Sequence, residues 1–364
     1  MKAPIHKFGS ITRKSMAIML LVSAFCNTLH GQDLHFTQAF EHPMFLNPSL
    51  TSCGKCSHLA GLFYRNQWTN LNMPVKSYSA FYEAKIQPKF MIRDHFAVGG
   101  YIFSEASGDG PLKTNGFIMN AALKKYLGWG RDTLFVSLGF GVGAGQRSIN
   151  FDNLKFSSQW NGLNINPVLP SDLSNYNNQA NFLDINGGMS IYYSPYKNSY
   201  SFDAGISLSH INQPDISFAK ANDKSDLLPS KINIHARLNK YFSETVKVMA
   251  GGLFSTQGAH DEFLLGFNLT HCLTPDKTSM LKLDSGVESS VGLVYGIWLR
   301  LGPVRDISPT IGLNAFGLSM LMSYDIPFFN SEHVTNYNGS FEISISKNFG
   351  CKYKSRCNCR NYGF

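Results

Sequence analysis

A two-residue period in the placement of apolar side chains constrains the fold of this chain more than any other feature. From residue 58 onward, apolar residues recur at every second position, and the positions between them are mostly polar or glycine. The pattern is clearest in 134–144 and returns in 202–208, 232–239 and 340–346. Because successive side chains of a strand point to opposite faces, this period predicts β-strands with one apolar and one polar face.

Fourteen such segments can be counted: 58–68, 75–85, 95–104, 114–125, 133–147, 182–193, 199–210, 231–241, 245–255, 261–270, 290–301, 309–315, 317–326 and 338–349. Most are near the length that a tilted strand needs to cross a bilayer, about 9 to 11 residues, and an even number is typical of bacterial outer-membrane barrels. A soluble β-sandwich would also alternate, but nothing between the segments resembles a second core layer or a helix. The sequence therefore predicts an all-β fold, a transmembrane antiparallel up-and-down β-barrel of about 14 strands.

The amino-terminal region has the pattern of a secretory signal peptide at residues 1–31, with a basic start followed by an apolar run at 15–25. That run is too short to span a bilayer as a helix. No later segment has the roughly 18 consecutive apolar residues of a membrane helix, so insertion must be by strands. We expect cleavage of the signal, then a periplasmic N-terminal segment at 32–57, the barrel at 58–349 and a Cys-rich basic periplasmic tail at 350–364.

Charge and composition exclude several classes of protein. The content of hydrophobic residues is 43%, of aromatic residues 13% and of charged residues only 15%, which argues against a disordered chain or a coiled coil. Lys and Arg total 32 against 24 acidic residues, but four of the basic residues lie in the predicted leader, so the excess falls to 28 minus 24, or +4. This is a weak argument for binding nucleic acid, and we expect none.

The connections between the predicted strands alternate in length, as expected when the first and the last strand both connect to periplasmic segments. The short inner connections include 126–132, 194–198, 242–244 and residue 316, and the longer outer ones are 105–113, 149–181, 211–230 and 327–337. The inner connection 271–289 is long and breaks the rule. Either a strand near 280–283 is missed by the pattern, or this connection is a periplasmic docking element, and docking is the preferred interpretation.

An ordered set of short motifs spans nearly the whole predicted mature chain. It runs from Gln32-Asp33-Leu34-His35-Phe36 and Phe45-Leu46-Asn47-Pro48 through Tyr64-Arg65-Asn66-Gln67-Trp68 and 207–214 to 295–300, which ends in Arg300, then Ser323-Tyr324-Asp325-Ile326 and 339–344, which contains Glu342. Taken together, these motifs resemble the PorP/SprF family of type IX secretion and gliding-motility outer-membrane proteins. The candidate structural residues within them are Asn47, Pro48, Arg65, Asn66, Gln67, Trp68, Arg300, Tyr324, Asp325 and Glu342.

The resemblance implies a non-enzymatic component of the type IX secretion or gliding machinery in the cell outer membrane, with no cofactor. Its implied partners are the periplasmic ring or its lipoproteins, the C-terminal domain of a secreted surface protein or adhesin, and outer-membrane lipid. The alternative is an outer-membrane channel or a transporter of lipophilic molecules. A soluble secreted β-protein is a third possibility.

Six cysteines follow the predicted leader, and all fall on the predicted periplasmic side: Cys53, Cys56, Cys272, Cys351, Cys357 and Cys359. An oxidising compartment favours disulfides, and the connectivity stays open. A bond between the Cys53/Cys56 pair and the tail would join the two ends where the barrel closes. The alternative is a zinc site, since Cys53 and Cys56 have chelate spacing, although Cys357 and Cys359 do not match it.

Charged residues within the predicted strands are interpreted as lumen charges that pair across the barrel: Arg65, Glu83, Arg147, Arg237, Arg300, Asp325 and Glu342. Arg300 and Asp325 are candidates for fixing strand register. A membrane-barrel lipase would need a serine and a histidine on one face, whereas His210 is expected to point away from Ser207 and Ser209. The bore is wide enough to be either open or filled.

Aromatic residues recur near the predicted strand ends, as in the interfacial girdles of membrane barrels. They are Trp68, Tyr82, Tyr192, Tyr193, Tyr241, Trp298, Tyr324 and Phe349.

Overall fold

The computed structural model is a closed antiparallel barrel of fourteen strands in its described residues, which confirms the predicted fold. It describes residues 33–350 except 53–55, 69–73, 92, 109–111, 129–131, 152–153, 155, 166–175, 196–199, 221–225, 244, 274–290 and 330–337. The strands are β1 (His58–Gln67), β2 (Val75–Ile86), β3 (His95–Ser107), β4 (Leu112–Tyr126), β5 (Thr133–Ser148), β6 (Gln179–Ser194), β7 (Tyr200–Ser209), β8 (Lys231–Tyr241), β9 (Val246–Gln257), β10 (His260–Cys272), β11 (Val291–Leu301), β12 (Asp306–Ala315), β13 (Leu318–Pro327) and β14 (Ser340–Phe349). Each strand pairs with its neighbour in sequence, and β1 closes the barrel on β14.

The fourteen strands lie at the predicted positions, but several of them begin or end at other residues than predicted. β12 begins at Asp306 instead of 309, so Pro309 lies within the strand. Pro309 pairs with Ile297 of β11. Its missing N–H is tolerated because the pairing of β12 with β13 is interrupted at this position. β3 and β4 extend further than predicted, so the outer connection 105–113 shrinks to 108–111. The β9–β10 connection on the same side has only two residues, Gly258 and Ala259, so the alternation of loop length is only partly met.

The two faces of the barrel wall have opposite polarity. Outward apolar side chains are well exposed, with Leu62 at 58%, Leu138 at 58% and Ile311 at 65%. Inward polar side chains are buried, as Ser79 and Asn239 illustrate. A closed sheet with an apolar outer surface satisfies every backbone group between strands, as a bilayer requires. No helix among the described residues is long and apolar enough to cross a membrane.

The described part of the predicted periplasmic N-terminal segment, residues 33–52, lies inside the barrel, and that prediction is wrong for these residues. We call residues 33–52 the plug. It contains a 3₁₀ turn at Ala39–Glu41, one turn of α-helix, α1 (Pro43–Leu46), and a second 3₁₀ turn at Pro48–Leu50. A further 3₁₀ turn, Ser157–Gln159, lies in the β5–β6 connection. Proline stands at the first position of both turns from residue 43 to 50, where its missing N–H costs nothing.

Apolar side chains attach the plug to opposite walls of the barrel. One cluster joins plug residues to β1–β4 and consists of Leu34, Phe36, Met44, Leu59, Phe63, Phe81, Tyr101 and Ile118. The other joins plug residues to β9–β11 and consists of Ala39, Phe40, Leu46, Leu50, Met249, Leu253, Leu264 and Trp298. Trp298, predicted to lie in an aromatic girdle, is buried in this interior and stacks on Phe40 at 5.5 Å between ring centroids.

The plug runs along the barrel axis. We call the end with His58 and Phe349 the inner end and the opposite end the outer end. Asp33 lies near the outer end, where its N–H donates to Gln257 Oε1 at 3.1 Å, and Ser52 contacts Glu83 near the inner end. The predicted signal peptide and tail residues 351–364 lie outside the described residues, as does most of the 271–289 connection.

Candidate functional site

Asn47 and Pro48 place the middle of the plug against the wall. The Asn47 side chain is fully buried, and its Nδ2 donates to the carbonyl oxygens of Met189 at 3.2 Å and Ile206 at 3.1 Å. Its Oδ1 accepts from the Ser49 N–H at 2.9 Å and so caps the short turn that Pro48 begins. One side chain therefore both caps the start of the Pro48–Leu50 turn and attaches it to β6 and β7.

Inward-facing glycines make room for this contact. A Cβ at Gly139 of β5 would overlap the backbone of Pro48 and Ser49, and a Cβ at Gly188 of β6 would overlap the Asn47 amide. Glycine allows the plug backbone to approach the strands this closely. The glycines at every second position of β5, from Gly139 to Gly145, are the sequence signal that could have indicated a plug.

A buried ion network fixes the outer half of the plug to β1, β13 and β14. Arg65 Nη2 lies 2.7 Å from Asp325 Oδ2, and Arg65 Nη1 lies 3.3 Å from Glu342 Oε2. The Glu342 carboxylate accepts the successive N–H groups of Thr37 and Gln38, both at 2.8 Å. Thr37 Oγ1 donates to Asp325 Oδ1 at 2.9 Å. All three charged side chains are at most 2% exposed, and each is compensated by a partner.

Arg300 joins the same network from β11. Its Nη2 donates to Thr37 Oγ1 at 2.6 Å, while its Nε lies 3.9 Å from both Glu262 and Asp306. Asp306 is also the residue directly opposite Arg300 in the β11–β12 pairing. Arg300 and Asp325 thus meet at Thr37, so they bind the plug in addition to any effect on register.

The remaining motif residues separate into two groups. Gln67 faces inward and, with its amide oxygen turned to Arg65, accepts from Arg65 Nε at 2.7 Å. Asn66 alternates to the other face, and Tyr324 points outward with 47% of its side chain exposed. Trp68 follows β1 with a positive φ of 56°, and its N–H donates to the Gly339 carbonyl at 3.0 Å. The structure therefore brings Asn47, Pro48, Arg65, Gln67, Arg300, Asp325 and Glu342 to the plug–wall interface and leaves Asn66, Trp68 and Tyr324 outside it.

A second charged cluster, at the first residue of the plug, was missed by sequence reasoning. His210 lies between two carboxylates, with Nε2 2.6 Å from Asp33 Oδ2 and Nδ1 2.8 Å from Asp184 Oδ1. The expectation that His210 points away from the interior was wrong, because β7 ends at Ser209 and His210 has a positive φ of 54°, which turns its ring inward. Ser207 donates to the Leu46 carbonyl at 2.9 Å, so this serine also serves the plug.

The cluster is held in its charged form. Burial alone would lower the pKa of His210, but the Asp33 and Asp184 carboxylates outweigh it and raise that pKa to about 10. Burial alone would raise the pKa of Asp33, but the His210 imidazolium holds that pKa at about 2. The pair therefore stays ionised at neutral pH.

The other predicted lumen charges also lie on the inner side of the wall. Arg237 Nε pairs with Asp203 Oδ2 at 2.7 Å, and its guanidinium carbon lies 5.8 Å from the Phe40 ring centroid. Glu83 is buried at the inner end, beside the end of the plug. Arg147 borders a cavity near the outer end.

We call this space the outer cavity, and it has a volume of about 110 Å³. It lies between the first residues of the plug, the outer ends of β3–β8 and the β7–β8 connection. Its lining includes Asp33, Phe45, Phe103, Glu105, Arg147, Phe182, Asp184, His210, Ile216, Leu228 and Lys231. Nothing in the sequence pattern indicated this cavity, because it forms between segments that are distant in sequence.

Two of the six candidate cysteines can be described, and both lie at the inner end. Cys56 and Cys272 are each disulfide-bonded. Cys53, Cys351, Cys357 and Cys359 lie outside the described residues, so the pairing of all six stays a prediction. The part of the chain that the structure describes contains no group of three or more His, Cys, Asp or Glu side chains placed to hold a metal ion.

Comparison with known proteins identifies the family of the sequence. A family model described as "Type IX secretion system membrane protein PorP/SprF" matches residues 28–346. No curated protein matches the sequence.

Solved outer-membrane barrels are similar in architecture. The toluene transporter TbuX from Ralstonia pickettii has 10% identity and a TM-score of 0.44, with 84% of this chain and 93% of that chain covered. A FadL homologue from Pseudomonas aeruginosa has 9% identity, a TM-score of 0.44 and coverage of 84% and 93%. The translocator domain of the autotransporter NalP from Neisseria meningitidis has 10% identity, a TM-score of 0.38 and coverage of 94% and 99%. Similarities this low carry no argument about function.

Proposed function

Because the chain belongs to the PorP/SprF family of type IX secretion system membrane proteins and lies in the cell outer membrane, we propose that it is a non-enzymatic anchor. It would hold the periplasmic ring or its lipoproteins, or the C-terminal domain of a secreted surface protein or adhesin, against the outer membrane. In a gliding organism the same attachment would serve motility.

The observation that carries this proposal is that the lumen is occupied by the chain itself. The plug contacts β1–β4 on one side and β9–β11 on the other through apolar clusters, and β5–β8 through hydrogen bonds. Ser137 of β5 donates to the Ser49 carbonyl at 2.7 Å, and Asn233 of β8 donates to the Leu46 carbonyl at 3.2 Å. A barrel filled in this way is better suited to hold a partner at its ends than to conduct solutes.

The surfaces left for partners are at the two ends. At the inner end these are the tail from residue 350, the 271–289 connection and the cysteines near β1 and β10. At the outer end they are the connections 149–178 and 210–230. Residues 33–52, which sequence reasoning placed in the periplasm, are committed to the interior and are not part of the proposed docking surface.

The proposal is tested by affinity purification from gently solubilised outer membrane, with an affinity tag placed in the outer 149–178 connection. We expect ring proteins, lipoproteins or one secreted surface protein to co-purify. Truncation after Gly350 should remove the inner-end partners, whereas the matched control, a shortened 210–230 connection, should keep them. Both variants should keep a folded barrel, checked by its heat-dependent shift on gel electrophoresis.

Two outcomes would contradict the anchor. One is purification of the intact protein without any component of the secretion machinery. The other is identical inner-end partners for the truncated and full-length chains, which would place docking elsewhere.

A further inference from the structure

A groove in the outer surface of the barrel wall lies on both sides of the β1–β14 closure and faces the membrane. We call it the wall groove. It extends across β14 and β1 to β5, has a volume of about 1020 Å³ and is lined almost entirely by apolar groups. Its floor consists of small outward-facing residues on four consecutive strands: Ala60 of β1, Ala80 of β2, Gly100 of β3 and Ala121 of β4. Because these strands pair without interruption, the depression comes from the small size of the floor residues.

Large side chains border this floor and cover other parts of the wall. Leu62, Ile102 and Met119 line the wall groove beside the small residues. On β10 and β11, by contrast, the outward-facing residues in the middle of each strand are all large: Phe263, Leu265, Phe267, Leu293, Tyr295 and Ile297. Lipid that contacts β10 and β11 meets a surface without such a row of small residues, whereas lipid at the wall groove can sink between side chains.

A second depression, of about 590 Å³, continues the wall groove toward the outer end. The two share Leu62, Ala80 and Ile102. The far part of the second depression is bordered by Tyr64 and Tyr78, whose ring centroids are 5.1 Å apart. Together the two depressions form an elongated apolar groove that begins near the inner end, which is the shape of an acyl chain.

Polar groups lie at the inner end of the wall groove. Lys347 of β14 lines the groove there, and its Nζ donates to the Phe316 carbonyl at 2.6 Å, which uses one of its three ammonium hydrogens. Tyr82 also lines this part, and its hydroxyl lies 2.8 Å from His58 Nδ1. Among the described residues that line the groove, Lys347 is the one that carries a charge, and none is a carboxylate. The groove therefore joins a long apolar floor to a single positive charge.

We propose that the wall groove holds one phospholipid of the periplasmic leaflet, with its phosphate at Lys347 beside Tyr82 and an acyl chain over Ala60, Ala80 and Gly100. A phosphate oxygen forms a charge-assisted hydrogen bond with an ammonium group, and lysine and tyrosine are typical of the level of the headgroups. The inference rests on the position of the chain in the outer membrane and does not depend on the anchoring function.

The volume of the wall groove suits this ligand. An engineered cavity of about 150 Å³ holds benzene, with six carbons, so an acyl chain of about 16 carbons needs on the order of 400 Å³. The wall groove, at about 1020 Å³, exceeds this volume.

The test is native mass spectrometry of the intact protein, purified and delipidated in a mild detergent. The protein is titrated with dipalmitoyl phosphatidylethanolamine and with dipalmitoylglycerol, which has the same chains without the phosphate. We expect saturable binding of one phospholipid and at least ten-fold weaker binding of dipalmitoylglycerol. Lys347→Met should lose at least ten-fold in affinity for the phospholipid and keep that for dipalmitoylglycerol, whereas Lys347→Arg should keep both.

A second set of variants tests the place of binding. Ala80→Leu raises the floor and should weaken binding of both lipids at least ten-fold. The matched control is Ala236→Leu, the same change at an outward-facing position of β8 that does not line the groove, and it should change neither. Folding of each variant is checked by the heat-dependent gel shift. Should Ala80→Leu fail to fold, Ala60→Leu fills the neighbouring part of the floor and should have the same effect.

A wild-type protein that binds no phospholipid, or that takes up further copies without saturating at one, would overturn the proposal. Equal phospholipid affinities of Ala80→Leu and Ala236→Leu would show that binding occurs elsewhere on the wall and would also overturn it. Equal affinities of wild type and Lys347→Met for the phospholipid would contradict recognition of the phosphate.

Discussion

At the scale of single residues, the plug is held by side chains that connect several segments at once. Asn47 bonds to two strands and to its own turn, and Glu342 accepts two successive plug N–H groups. Each such residue leaves several buried polar groups without partners when it is removed. Its loss should therefore cost more than that of a single hydrogen bond.

Replacement of Asn47 by alanine should lower the free energy of unfolding by about 2 to 4 kcal/mol, because two buried carbonyls and one N–H lose their partner. The matched control is Asn66→Ala, which removes the same amide from the other face of the wall and should cost much less. Thermal unfolding of both variants, followed by the heat-dependent gel shift, measures the difference. Equal melting temperatures for the two variants would mean that Asn47 does not hold the plug.

The His210 cluster predicts how attachment of the plug depends on pH. Because the folded-state pKa of His210 is raised, its contribution is fully present below 6.5 and is lost as pH rises through about 10. Because the pKa of Asp33 is lowered, its contribution is present above 3.8 and is lost as pH falls through about 2. Hydrogen exchange of plug amides, corrected for intrinsic rates, should show constant protection between pH 3.8 and 6.5, a progressive fall from 6.5 towards 10, and a progressive fall from 3.8 towards 2.

The variant His210→Gln provides the control for this measurement. It lacks the imidazolium, so protection of the plug should be lower and should no longer fall as pH approaches 10. Wild-type protection that stays constant from pH 6.5 to 10 would show that the pKa of His210 is not raised by Asp33 and Asp184.

At the scale of elements, the ion network lies where the barrel closes. Arg65 of β1 and Glu342 of β14 are directly opposite in the pairing of the first and last strands, and Asp325 comes from the adjacent β13. The plug bonds to the same carboxylates through Thr37 and Gln38. Closure of the barrel and placement of the plug are thus coupled through one set of charges.

Replacement of Arg65 by methionine should destabilise the barrel by about 3 to 5 kcal/mol, because two carboxylates are left buried without their cation. The double variant Arg65→Met with Glu342→Gln removes one of those charges and should recover part of the loss. Thermal unfolding of both proteins checks this. A double variant less stable than the single one would show that the carboxylates do not need Arg65.

Glycines of the barrel wall also couple the barrel to the plug, because they let the two backbones come close together. Gly139→Ala places a methyl group against the backbone of Pro48 and Ser49, which cannot rotate away as a side chain could. We expect increased proteolysis within residues 33–52 while the barrel stays folded. The unaffected control is Gly292→Ala, at an inward-facing position of β11 where a Cβ would meet no atom closer than 3.5 Å. Unchanged resistance of the plug in Gly139→Ala would contradict the close approach of the two backbones.

The strands could be predicted from the sequence, and the plug could not. Alternation of apolar and polar residues is a local signal that a lipid-facing wall imposes on each strand, so all fourteen segments were found and only ends such as Asp306 were misplaced. Residues 33–52 have no such period, because their partners are spread over strands from β1 to β14. For the same reason the charges Arg65, Arg300, Asp325 and Glu342 were assigned to the lumen, but their shared partner Thr37 was not found.

At the scale of the whole molecule, the barrel is closed by its own amino-terminal segment. The plug begins at the His210 cluster near the outer end, passes the Arg65 network and ends beside Glu83 near the inner end. Apolar clusters and hydrogen bonds attach it around the whole circumference. In the part of the chain that the structure describes, the plug thus occupies the lumen, and a barrel filled in this way presents its two ends to partners, which is the physical basis of the proposed anchoring role.

Planar-bilayer recording of the intact, purified protein tests this account most directly. The account predicts no steady conductance from the wild-type protein, and brief openings from the Asn47→Ala variant, in which the plug is less tightly held. Steady, large conductance steps from the wild-type protein would contradict a closed lumen and would favour a channel.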